Sequence, residues 1–169
     1  MKIALICPSN ILYMPYVDNY TKIFDEINAD YSVINWDRFK IEKESEFTYR
    51  DSKIGHQRGF LDYFKYSRFV LNILKKNNYD KVVVFGIQLV FFLKRYLNRE
   101  YSNKYIIDIR DHNRIIKYFN IEKAIDNSTF TVLSSPGYKE WLPKSNKYVI
   151  NHNTRIESLD ELIEVKPFD

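Results

Sequence analysis

A chain of 169 residues, 45% hydrophobic and 28% charged with four glycines and five prolines, describes one folded globular domain and excludes a disordered or fibrous chain. A single cysteine, Cys7, excludes an internal disulfide framework, and no apolar run approaches the length of a membrane span. The net charge of +4 is uneven: residues 154–169 hold two basic and five acidic residues, net −3, which leaves +7 on residues 1–153 and suits that body to anionic partners.

In chain order, Ile3–Cys7 is a continuous apolar run closed by Pro8-Ser9-Asn10, the pattern of a strand buried on both faces. The run is too short for a signal-peptide core and has no cleavage site after it. With the lone thiol, this points to a reducing, cytoplasmic setting, peripheral to the inner membrane face at most. Tyr16, Tyr20, Ile23, Phe24 and Ile27 form a helical apolar stripe, followed by a second strand at Tyr31–Trp36.

The segment from Asp37 to Gly59 is polar, charged and without sustained period, which predicts a long loop or irregular excursion over the strand ends, functional or mobile. His56 within it reads as surface. A helix follows with Phe60, Leu61, Phe64, Leu71 and Leu74 on one side and Lys65, Arg68, Lys75 and Lys76 on the other. Val82–Phe85 is a strand leading into Gly86-Ile87-Gln88, and Leu89, Phe92, Leu93 and Tyr96 mark a helix that also bears Arg95 and Arg99. The strand Tyr105–Ile109 precedes a broken helical stripe at Ile115, Ile116, Phe119 and Ile125. Phe130–Leu133 and Tyr148–Ile150 complete about six strands. Strands alternating with helices predict a doubly wound, Rossmann-like α/β domain over residues 1–153, with a mainly parallel sheet and helices on both faces. Residues 154–169 read as an acidic tail or linker.

In such a sheet, ligands bind beyond the carboxyl ends of the strands. That rule selects Ser9, Asn10, Gly86, Gln88, Arg110, Asp111, His112, Ser134, Asn151 and His152. Asp108-Ile109-Arg110-Asp111-His112 is the densest ionisable cluster at a strand end. It offers a cation for phosphate or carboxylate, a carboxylate for hydroxyls and an imidazole, or else an internal Arg–Asp pair beside an exposed His112. The first loop has no glycine triplet, and no Walker, paired-histidine or Gly-x-Ser-x-Gly pattern occurs. No cofactor, metal or hydrolase nucleophile is therefore expected. The basic helical faces suit an anionic membrane surface or plain solvent. Nucleic acid is not expected, because the basic residues are spread over several elements.

The opening Lys2-Ile3-Ala4-Leu5-Ile6, Tyr79-Asp80-Lys81-Val82-Val83-Val84 before Gly86, the strand end Asp108-Ile109-Arg110-Asp111, and Tyr148-Val149-Ile150-Asn151 resemble, in that order, the N-terminal domain of GT-B glycosyltransferases of family four. The resemblance covers about residues 1–153. It implies an acceptor-binding domain that faces a second, donor-binding domain lying beyond this chain, in a retaining enzyme of surface polysaccharide biosynthesis that uses a nucleotide sugar. The paired-glutamate donor motif of that second half does not occur here. Neither does the glycine pair frequent in the family's first loop, where Pro8-Ser9-Asn10-Ile11 stands instead. On this resemblance Arg110 and the catalytic candidate His112 contact a sugar or lipid-linked sugar acceptor or the transferring sugar. Ser9, Asn10, Gly86, Gln88, Asp111, Ser134, Asn151 and His152 line the cleft. The alternative is a stand-alone, non-enzymatic Rossmann-like module binding a ligand or a protein.

Overall fold

Runs of Val, Ile and Leu buried on both faces form strands that only a covered parallel sheet accommodates, and the computed structural model, which describes residues 1–152, shows such a sheet. Its strands are β1 (Lys2–Cys7), β2 (Asp30–Trp36), β3 (Thr48–Tyr49), β4 (Lys81–Phe85), β5 (Tyr105–Ile109), β6 (Phe130–Leu133) and β7 (Tyr148–Ile150). They lie side by side in the order β3-β2-β1-β4-β5-β6-β7, and every neighbouring pair is parallel. The fold is the doubly wound α/β, Rossmann-like one expected. The sheet has seven strands rather than about six, because the two-residue β3 forms inside the polar excursion, too short to leave an alternating pattern.

Helices α1 (Val17–Glu26), α2 (Phe60–Asn77), α3 (Ile87–Glu100) and α4 (Ile121–Asp126) cover the sheet. Alternation along β1 decides which face each residue serves. Ile3, Leu5 and Cys7 join Val83 and Phe85 beneath Val17, Tyr20 and Phe24 of α1. Ala4 and Ile6 join Val82 and Val84 on the opposite face, under Tyr66, Val70 and Leu74 of α2 and Leu89, Val90 and Leu93 of α3. The charged stripe of α2 stays in solvent, with Lys65, Arg68, Lys75 and Lys76 all exposed.

Local chemistry sets several boundaries. The Asp62 carboxylate accepts from the Gly59 amide at 2.8 Å and closes the start of α2, which ends at Asn78 in the left-handed region, φ 46°. The broken stripe around Ile115 is a 3₁₀ turn at Arg114–Tyr118 and then the short α4, whose amino end is capped by Asn120 accepting from the Lys123 amide at 2.9 Å. Among the described residues no helix is long and apolar enough to cross a membrane. The expected tail at 154–169 lies outside the described residues.

Candidate functional site

The crossovers after β1 run outward to β2 and β3, whereas the chain then returns to place β4 on the other side of β1. Loops leaving the carboxyl ends of β1 and β4 thus diverge, and the crevice between them is where an open α/β sheet binds ligands. A cavity of about 260 Å³ occupies that crevice. Its floor comes from Pro8, Ser9 and Met14 of the first loop and from Gly86 and Gln88 after β4. Tyr13, Tyr16 and Tyr63 supply aromatic walls, and Arg38, His56, Arg110 and Asp111 bring the polar rim. A larger concavity of about 510 Å³ lies around Tyr79, Tyr96, Tyr101 and Lys104. It sits at the amino ends of β4 and β5, the side of such a sheet that does not bind ligands, so the smaller cavity is the candidate.

Gly86 leaves β4 with φ of 88°, a conformation that L side chains rarely adopt, while its amide donates to the Asp108 carbonyl at 2.8 Å. That turn points the amino end of α3 at the crevice. Glycine is required here by backbone conformation rather than by space, since an added Cβ would meet its nearest neighbour, the Gln88 side chain, at an ordinary 3.5 Å.

Beside this turn, Asp108 and Arg110 form a bidentate pair. Arg110 Nε donates to Asp108 Oδ1 at 2.5 Å and Nη2 to Oδ2 at 2.7 Å. The Tyr20 hydroxyl donates to the same carboxylate at 2.6 Å. Arg110 Nη1 donates to the Asn151 carbonyl at 2.8 Å and reaches that of His152 at 3.4 Å, while the guanidinium lies 4.5 Å over the Tyr16 ring. The Arg110 carbonyl in turn accepts from Tyr138 Oη at 2.6 Å and Ser134 Oγ at 3.3 Å. Burial pushes the Asp108 carboxyl up from the usual carboxylate range, against the pull of Arg110 and Tyr20. Burial and the Asp108 charge together raise the Tyr20 hydroxyl, which remains a proton donor. This is the internal Arg–Asp pair that the sequence left open as an alternative, and it ties the end of β5 to that of β7.

A second knot holds the excursion. Asn10 is fully buried; its Nδ2 donates to Asp37 Oδ1 at 2.6 Å and its Oδ1 accepts from the amides of Arg38 and Phe39 at 3.0 and 3.3 Å. Asp37 also accepts from Arg50 Nε at 2.6 Å and from the amides of Ile41 and Glu42. Burial pushes the Asp37 carboxyl up, but these donors outweigh it and hold it below the usual range. The excursion is therefore an ordered lobe built on one buried carboxylate.

The sequence-selected residues thus divide into groups. Ser9, Gly86, Gln88, Arg110 and Asp111 line the cavity. Asn10 lies beneath it as a latch. Ser134, Asn151 and His152 act on Arg110, the last two through main-chain carbonyls, with the His152 side chain exposed. His112, expected to approach the acceptor, is not in the wall. Its exposed ring meets Trp141 edge-on at 4.8 Å, toward the loop after β6. His56 is exposed, as expected, and it also borders the cavity, packing against Phe39 and Tyr13 at 4.8 and 5.6 Å. Tyr13, Met14, Tyr16, Arg38 and Tyr63 were missed. A signal existed for Arg38, which stands two residues after the end of β2 and obeys the same strand-end rule as the others.

Among the described residues no group of three or more His, Cys, Asp or Glu could hold a metal ion. Cys7 is buried, and burial raises its thiol far above the ordinary range. Compared with known proteins, the chain matches no protein-family model, no curated protein and no solved structure.

Proposed function

We propose that this domain is the acceptor-binding half of a retaining, nucleotide-sugar-dependent glycosyltransferase of surface polysaccharide biosynthesis, working at the cytoplasmic face of a membrane and inactive without a donor-binding domain. One observation supports this most: the cavity at the switch point combines aromatic faces with hydrogen-bonding groups. Tyr13, Tyr16 and Tyr63 give flat apolar surfaces for the C–H face of a sugar ring, while Ser9, Gln88 and Asp111 suit its hydroxyls. At about 260 Å³ the cavity falls below the usual drug-sized range, as a site for a single sugar unit would. The exposed cations of α2, with Arg95 and Arg99 of α3, would meet anionic headgroups while the strand ends face the acceptor. In this reading Arg110 positions Tyr16 and the loop carrying Asp111, and His112 has no direct role.

The stand-alone binding module is favoured by one observation. Arg110 is held by Asp108 and two carbonyls, so the densest strand-end cluster is structural. The two readings part on the native gene product. A mass of about twice this chain, with transfer from a nucleotide sugar that falls at least about tenfold in kcat/KM for Tyr63→Ala, supports the transferase. A product of this length that binds sugar without turnover supports the module.

A further inference from the structure

Three of the arginines in this part of the fold have carboxylate partners. Arg110 pairs with Asp108, Arg58 with Asp51 and Arg50 with Asp37. Arg38 lines the cavity, is only 7% exposed, and has no ion pair among the described residues. Its Nη1 donates to the His56 carbonyl at 3.3 Å and its Nη2 to the Tyr63 hydroxyl at 3.0 Å, both neutral acceptors. Its Nε is buried with no acceptor at all. The guanidinium lies 4.5 Å over the Trp36 ring and 5.4 Å from that of Tyr63. Those rings hold it flat and attract its charge, but a π-face does not replace a counter-ion.

Arginine cannot shed its proton to relieve burial, so this charge remains in place with donors left over. A second positive element converges on the same space: α3, fourteen residues long, starts from Gly86 with its amino end at the cavity wall. A guanidinium fork beside a helix amino end matches a phosphate, which presents several acceptor oxygens and close to two negative charges at neutral pH.

We infer that Arg38 binds the phosphate of a phosphorylated monosaccharide whose ring lies against Tyr13 and Tyr63. The inference rests on the carbohydrate reading of this cavity and adds the charge its ligand carries. A free sugar phosphate, a monoester with close to two charges, and the headgroup of a lipid-linked sugar phosphate, a diester with one, both set phosphate oxygens beside a sugar ring.

Calorimetric titration of the 169-residue chain with glucose, glucose 1-phosphate and glucose 6-phosphate, at fixed ionic strength, tests it. At least one sugar phosphate should bind about tenfold or more tightly than glucose, the scale of one charge-assisted contact. Arg38→Gln should abolish that advantage and leave glucose binding in place, and Arg38→Lys, which keeps the charge without the fork, should retain part of it. Should Arg38→Gln not fold, inorganic phosphate should still compete with the sugar phosphate for the unaltered chain. Equal binding of glucose and both phosphates overturns the inference and leaves the carbohydrate reading standing. An advantage that survives Arg38→Gln also overturns it. Binding of none of the three overturns both. Vesicles separate the two sources: Arg38-dependent preference for vesicles carrying polyprenyl phosphoglucose over vesicles carrying phosphatidylserine at equal charge, with weaker binding of the free phosphates, identifies a lipid headgroup, and tight binding in free solution identifies a soluble sugar phosphate.

Discussion

The ends of β5 and β2 carry the same two residue types and use them in opposite ways. At the end of β5, Asp108 within the strand and Arg110 just beyond it are two positions apart on an extended chain, so their side chains share one side and close a bidentate pair. After β2, Asp37 and Arg38 are adjacent and do not pair. Asp37 turns to Asn10 and Arg50, and Arg38 to Tyr63 and the cavity. At β5 the spacing of two accompanies a clamp completed by Tyr20 and the Asn151 carbonyl; at β2 the adjacent residues find separate partners, and Arg38 has no carboxylate partner among the described residues. An Asp-Arg motif at a strand end therefore says little about function until its partners are known.

The comparison is open to breaking, most severely at the clamp. Asp108→Ala strands Arg110 in a buried site and should lower stability by about 3–5 kcal/mol in urea unfolding. Arg38→Gln removes two hydrogen bonds to neutral groups and should lower it by no more than about 1–2 kcal/mol. Equal losses would mean that Arg38 is as structural as Arg110.

Asn10→Ala takes one donor from the buried Asp37 carboxylate, which keeps Arg50 and the Ile41 and Glu42 amides, and removes an acceptor from the Arg38 and Phe39 amides; a loss of about 1–3 kcal/mol is expected, with amide-exchange protection lost first in the 37–59 lobe. Gly86→Ala should cost about 1–2 kcal/mol through its positive φ, by the same unfolding assay.

The gentlest test uses pH. Asp37 is held below the usual carboxylate range, so its contribution is complete above the unfolded value near ~3.9 and disappears as pH falls through the folded value. Asp108 is displaced upward by burial, so stability linked to its titration declines as pH climbs above ~3.9 toward the folded value. Difference curves of stability against pH for Asp37→Asn and Asp108→Asn should slope in opposite directions. Parallel slopes would erase the distinction between the two strand ends.

Much of this molecule was legible in its sequence because strands buried on both faces must be continuous apolar runs, and six of the seven appear within a residue or so of their positions. β3 was not legible, since two residues held by backbone pairing to Asn35 and Trp36 carry no periodic signal. The strand-end rule found Ser9, Gly86, Gln88, Arg110 and Asp111 in the cavity wall. It would have found Arg38 as well, had Asp37–Gly59 been divided at its first residues instead of read as one polar block.

The alternation of apolar strands with helices along the chain, a local property, determined the fold class and the end of the sheet at which a ligand binds. Which arginine is locked and which is available was decided only by tertiary structure. That choice depends on acceptors 41 residues away for Arg110, at Asn151, and 25 residues away for Arg38, at Tyr63, and no local pattern encodes contacts of that separation.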